Sequence, residues 1–273
     1  MLRRVLLTAA GSNRIKRAVV RAPLSRGIVS RFVAGEDLGD AIVATRQLVS
    51  RGLLASIDRL GEATTDAAQA QATADAYVEL LGAIGEGGLA EFTEVSLKLS
   101  SLGQALGADG ERVALDHART VCAAAKAAHT TVTLDMEDHT TTDATLAALK
   151  ELRTDFPDVG AVLQAYLRRT EGDCRDLAGE GSRIRLCKGA YREPASVAFQ
   201  EQAEVDLSYV RCLRVLMHGK GYPMVATHDP RLVAIAAAMA LQAGREKDEY
   251  EFQMLYGVRP DEQRRLASRG EKI

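Results

Sequence analysis

A chain of 273 residues, 47% of them hydrophobic, can bury a full core, and one barrel of roughly 250 residues would use nearly all of it. The formal net charge of -2, with cations scattered among nearly as many acids, leaves no basic stripe and excludes nucleic acid as an expected partner. Four cysteines, Cys122, Cys174, Cys187 and Cys212, stand far apart with no C-x-x-C pair, which argues for reduced thiols in a cytoplasmic protein rather than a disulfide framework or zinc site.

The opening MLRRVLLTAAGSNRIKRAVVRAP begins like a signal peptide, but its apolar run is short, basic residues continue beyond it, and no small-x-small cleavage site closes it. It is expected to be a basic helix, either packed on the domain or drawn to anionic lipid at the inner face of the cell membrane. No run approaches the ~20 apolar residues of a membrane span. The chain is expected to divide into a helical segment, residues 1–52, and a catalytic domain, residues 53–273.

From there strand-like runs alternate with amphipathic stretches: LLASIDRLGE, FTEVSLKLSSLG, TVTLDMEDHT, VGAVLQAYLRR, RIRLCKGAY, YPMVATHDP and YEFQMLYGV. Between them lie helical stretches, one opened by the Thr65-Asp66 cap, another running from Ser196 to a closing Gly221. Continuous βα alternation predicts a parallel sheet with helices outside. A doubly wound sheet would carry its phosphate-binding glycines after the first strand, and none are there. GEGGLA, beginning at Gly85, has a related spacing but follows a helix and precedes a strand, so it is expected to be a helix-ending loop.

Alternate side chains of a strand point to opposite faces. Lys98 therefore parts from Val95, Leu97 and Leu99, while Thr133, Asp135 and Glu137 part from Val132 and Leu134; Gln164, Arg185 and Gln253 repeat the pattern. Polar residues recurring at one parity near strand carboxyl ends describe a barrel-type active site. Lys98 and Asp135, on adjacent strands, are expected to pair, either at a ligand or as a structural bridge. Arg185 beside an electron-accepting ring could stabilise arriving negative charge, or it could merely bridge strands.

Lys188, Gly189 and Ala190 lead toward a helix where a phosphate could be received, against the plainer reading of a turn and a solvated charge. Thr227 and His228 end the sixth strand; His228 could bind an acceptor oxygen or cap the next helix. His117, His129 and His218 are expected to be surface residues, and DMEDH could suggest a metal cluster, although its acids split between the two faces of a strand.

Together VSLKLSSLG, LDMEDHT, VLQAYLRR, RLCKGAYREP, ATHDPRL and YEFQMLYGVRPDEQ resemble, in order, the motifs of the proline dehydrogenase family of monofunctional bacterial type, from about Leu53 to the end. The resemblance implies an α/β fold, a (β/α)8 TIM-type barrel with N-terminal helices. It implies FAD as cofactor and oxidation of L-proline to 1-pyrroline-5-carboxylate by hydride transfer, the first step of proline catabolism, with a quinone as electron acceptor. By motif it implies Asp135 and Arg185 as catalytic residues, Lys98, Tyr191 and Leu255 as substrate contacts, and Met136, Gln164, Lys188, Gly189, Ala190, Thr227 and His228 as cofactor contacts, with no metal.

Family members continue through an eighth strand and a helix that clamps the proline carboxylate, whereas this sequence stops at Glu271-Lys272-Ile273. The expectation is an incomplete eighth unit, two bare strand edges, and weak binding of FAD and proline. Arg264 and Arg265 belong by motif to the preceding helix and are not that clamp. The competing readings are a non-catalytic truncated barrel, a metal enzyme using Asp135, Glu137 and His228, and an aldolase using Lys98 as a Schiff-base nucleophile.

Overall fold

The computed structural model describes residues 32–61 and 63–273, so the basic helix expected over residues 1–23 lies outside the described residues. The strands are β1 (Ala55–Asp58), β2 (Thr93–Leu97), β3 (Val132–Leu134), β4 (Gly160–Gln164), β5 (Arg183–Cys187), β6 (Tyr222–Ala226) and β7 (Glu251–Gln253). Helices α1 (Leu38–Val49), α2 (Ala67–Glu86), α3 (Gly110–Ala127), α4 (Thr142–Leu152), α5 (Thr170–Leu177), α6 (Gln202–His218), α7 (Pro230–Gln242) and α8 (Pro260–Ala267) alternate with them.

All neighbouring strands pair in parallel, in the order β1 to β7. In a flat sheet, β1 and β5 would lie about 19 Å apart at ~4.8 Å per strand. Yet Arg185 of β5 donates to Ser56 of β1 at 2.8 Å and to Ser96 of β2 at 2.9 Å, so the sheet curls into a half-barrel.

The helices cover its outside. In α2, Ala70, Ala74, Tyr77, Leu81 and Ile84 recur at helical spacing and are buried, while Asp66 caps the helix by accepting from the N–H of Ala68 and Gln69. The buried Tyr77 hydroxyl donates to Ser96 O at 2.8 Å and accepts from Arg59 N at 3.1 Å, tying α2 to β2 and to the end of β1. Tyr209 of α6 donates to Leu186 O in the same manner. The GEGGLA segment does end a helix: Gly87 is the cap of α2, and Gly88 takes a φ of 65° that a side chain would resist.

Two sequence expectations need correction. The helix expected from Ser196 begins only at Gln202, because Phe199 N–H donates to Tyr166 O and Leu167 bridges Ala198, which hold residues 197–199 against the loop after β4. The edges of β1 and β7 are also not wholly bare. Between them, Lys272 O accepts from Phe252 N–H at 2.9 Å and Ile273 O from Leu54 N–H at 2.7 Å. Successive carbonyls of an extended chain point to opposite sides, so two residues reach both edges.

Candidate active site

A cavity of about 2430 Å³ runs through the half-barrel from the carboxyl ends of the strands to their amino ends, and reaches α1. Asp135, Met136, Gln164, Arg185, Gly189, Ala190, Tyr191, Thr227, His228 and Leu255 all line it. Ten of the twelve residues singled out in sequence therefore share one space; Lys98 and Lys188 do not line it.

Each of these two lysines is held between two carboxylates. Lys98 Nζ lies 2.6 Å from Asp58 Oδ2 and 3.3 Å from Asp135 Oδ2. Asp135 is thus a partner of Lys98, as its strand position suggests, but Asp58 of β1 is the nearer one. Burial alone would lower the Lys98 pKa; the hydrogen bond to Asp58 and the charges of Asp135 and Asp58 outweigh it and raise it. Lys188 Nζ lies 2.6 Å from Asp206 Oδ1 and 3.3 Å from Asp229 Oδ2. It is neither a solvated charge nor a free phosphate anchor, and the segment after it does not open a helix, because α6 starts at Gln202.

Arg185 is the hub. Its Nη1 donates to Asp135 Oδ1 at 3.0 Å and to Ser96 Oγ at 2.9 Å; its Nη2 donates to Glu94 Oε1 at 2.7 Å and to Ser56 Oγ at 2.8 Å. Ser96 donates in turn to Asp135 at 2.7 Å. Nε is buried without a partner among the described residues. Glu94 is buried beneath, with its second oxygen 3.1 Å from Arg183 Nη2 and 3.0 Å from Thr133 Oγ1. Burial pushes the Glu94 pKa up, but the Arg185 and Arg183 charges prevail and hold it below the usual range, so it stays ionised.

The rim is built by loops. Glu137 accepts from Ser100 Oγ at 2.7 Å, while Gln164 Nε2 donates to Glu137 O at 2.7 Å, joining the ends of β2, β3 and β4. Gly189 has a φ of 109°, and a Cβ there would collide with the Tyr166 ring. Tyr166 donates to the buried Glu193 at 3.3 Å, and Glu193 also holds His139. Thr227 Oγ1 accepts from Asp229 N–H at 3.2 Å, and Asp229, not His228, caps α7. His228 Nε2 accepts from Leu255 N–H at 2.9 Å, which requires the proton on Nδ1. Burial and the Arg259 charge lower the His228 pKa and favour that neutral form. Tyr191 and Leu255 are exposed on the rim, at 42% and 69%.

Asp58, Glu94, Ser56, Ser96 and Arg183 complete this cluster, and the sequence reading gave none of them a role. The signal was present: Ser56 and Asp58 share one parity of β1, Glu94 and Ser96 continue the Lys98 face back along β2, and Arg183 precedes Arg185 by two. Among the described residues no three metal-type side chains converge.

Comparison with known proteins identifies the family and the fold. The sequence profile described as proline dehydrogenase matches residues 41–273. The proline dehydrogenase of Deinococcus radiodurans is 40% identical over 248 residues, covering 90% of this chain and 79% of its own length. Proline dehydrogenase 1 of Bacillus subtilis strain 168 is 35% identical over all 273 residues, 88% of its length. The crystal structure of proline utilization A from Bdellovibrio bacteriovorus, inactivated by N-propargylglycine, superposes with a TM-score of 0.83 at 24% identity. The match covers 91% of this chain but 30% of that one, and shows the shared barrel fold. Motifs, half-barrel and profile agree, and the chain belongs to the proline dehydrogenase family.

Proposed function

We propose that this protein oxidises L-proline to 1-pyrroline-5-carboxylate with FAD as cofactor, as the names of its relatives and the chemistry of the cavity suggest. The observation that carries the proposal is the cation Arg185, fixed at the cavity wall by partners from β1, β2 and the loop just after β3. The residues present fit a flavin. The cavity far exceeds the space a proline needs, and Arg185 Nε is a buried donor with no acceptor among the described residues. Met136, Gln164, Gly189, Ala190, Thr227 and His228 would hold the cofactor along the cavity. Lys188 would act indirectly, fastening the strand β5 end to Asp206 and Asp229.

When bound, the flavin would supply a hydride acceptor for the ring carbon next to the proline nitrogen. Arg185 supplies a fixed positive charge for the negative charge that arrives, without the reorganisation that water would need. Asp135 keeps that guanidinium in place, and Lys98 holds Asp135 and Asp58 at the mouth. Tyr191 and Leu255 would close over the substrate from the exposed rim. A quinone is the proposed final acceptor and the cytoplasmic face of the membrane the proposed place; no described helix is long and apolar enough to cross a membrane.

A Schiff-base role for Lys98 is disfavoured, since an amine nucleophile needs a lowered pKa and the two carboxylates raise this one. Anaerobic addition of L-proline to the chain reconstituted with excess FAD tests the proposal. Bleaching of the flavin band is expected, and its absence at every proline concentration would overturn it.

A further inference from the structure

Beneath the residues that face the mouth lies a second layer of charge inside the half-barrel. Glu94 of β2 reaches across to β5 and accepts from Arg185 Nη2 at 2.7 Å and Arg183 Nη2 at 3.1 Å. It is 8% exposed, and Thr133 Oγ1 donates to it at 3.0 Å. The Arg183 guanidinium lies over the Tyr222 ring at 4.7 Å, and Tyr222 donates to the buried Glu251 at 3.0 Å. In the ion pairs of the interior, the cations Lys98, Arg183 and Arg185 meet the carboxylates Asp58, Glu94 and Asp135. Burial, followed by the charge of Glu94, raises the Glu251 pKa and pushes it toward its neutral form. Three cations thus meet three carboxylates in these ion pairs, and Glu94 is the carboxylate that faces Arg185 from the side away from the mouth.

We propose that Glu94 is a positioning residue for the oxidation: it fixes Arg185 from below and, by partly neutralising it, sets how strong a cation the cavity offers the flavin. The proposal rests on the reading that Arg185 faces the cofactor. Asp135, Ser96 and Ser56 hold the same guanidinium, and the amide oxygen of Glu94→Gln can still accept from it, so loss of the Glu94 charge leaves Arg185 in place but less neutralised. Reduction adds negative charge to the flavin, and a stronger cation nearby favours that state. Removal of Glu94's charge therefore raises the midpoint potential of the bound flavin. Removal of Arg183's charge frees Glu94 to neutralise Arg185 more fully and lowers it.

A unit charge within about 10 Å, at an effective dielectric near 20, moves such an equilibrium by roughly tenfold or more. The midpoint potential of the flavin bound to the full chain, measured against reference dyes, reads this directly in Glu94→Gln, Arg183→Met, Arg185→Met and Thr133→Val. The expected pattern is a rise for Glu94→Gln, a fall for Arg183→Met and for Arg185→Met, and no change for Thr133→Val, which removes a hydrogen bond to Glu94 but no charge. General damage would move Glu94→Gln and Arg183→Met the same way, and that result overturns the proposal. So does a Thr133→Val shift as large as that of Glu94→Gln. If Glu94→Gln does not fold, the sign of the Arg183→Met shift decides, a fall supporting the proposal and a rise or no change overturning it. An unchanged potential in Arg185→Met overturns the placement of Arg185 at the flavin as well. A fall there with no shift in Glu94→Gln overturns the role of Glu94 alone.

Discussion

Asp135→Ala removes the carboxylate that joins the two cations of the mouth. Oδ1 accepts from Ser96 Oγ at 2.7 Å and from Arg185 Nη1 at 3.0 Å, while Oδ2 faces Lys98 Nζ at 3.3 Å. Breaking a buried ion pair by deleting one partner costs about 3–5 kcal/mol. That is an upper bound here, because both cations keep a nearer carboxylate: Lys98 keeps Asp58 at 2.6 Å and Arg185 keeps Glu94 at 2.7 Å. Hydrogen bonds to charged groups contribute about 1.5–3 kcal/mol each, and water from the adjoining cavity can replace part of what is lost. A destabilisation of about 2 kcal/mol should result. At about 2–4 °C per kcal/mol for a domain of this size, Tm should fall by about 4–8 °C.

The catalytic loss should be larger than the loss of stability. With Asp135 absent, Arg185 Nη1 retains only Ser96, and a group displaced by about 1 Å can lose roughly a hundredfold in rate. Urea unfolding and stopped-flow flavin reduction by proline measure the two effects on one sample. Wild-type stability together with a wild-type reduction rate would remove Asp135 from the site. A loss well above about 5 kcal/mol would refute the claim that Asp58 and Glu94 compensate.

Gly189→Ala should destabilise the chain by at least about 2 kcal/mol and weaken flavin binding, since the residue sits at φ 109° against the Tyr166 ring; calorimetry and flavin fluorescence quenching would register both. Tyr77→Phe should cost about 1–3 kcal/mol in urea unfolding, because it strands the buried Ser96 O and the Arg59 N–H, and a neutral result would mean water or another group replaces the hydroxyl. His228 has a folded pKa depressed by burial and by Arg259, so its stabilising contribution is complete above the unfolded pKa of about 6.5 and is lost as pH falls through the folded value. Thermal unfolding followed from pH 8 to 5 should show that loss in the wild type and a shallower slope in His228→Gln; identical slopes would discard it.

Much of the fold was legible because its signals are local. Strand parity, the Asp66 cap and the glycines that end α2 each depend on a few neighbouring residues, and all seven strand-like runs contain a strand. The site was legible where motif and parity agreed, as at Asp135, Gln164 and Arg185, which share the cavity. Long-range partners were not. Sequence cannot say that β2 and β5 face each other across a curled sheet, so Glu94 as the counter-ion of Arg185 and Arg183 was invisible, although both strands show the right alternation. Asp58 was missed because β1 is four residues long and its parity went unread, and the late start of α6 followed from a contact with Tyr166 far earlier in the chain. The two-carboxylate clamp on Lys188 likewise combines α6 with the loop after β6.

Flavin reduction by proline in the wild type and in Arg185→Met, each saturated with FAD and followed anaerobically at rising proline concentration, probes the central claim most directly. The wild type should bleach, and Arg185→Met should bleach at least about a hundredfold more slowly at saturation while still binding FAD, as expected when a preorganised charge-stabilising group is removed. Equal limiting rates in the two proteins would contradict the assignment of Arg185, and no bleaching in the wild type would contradict the proposed reaction itself.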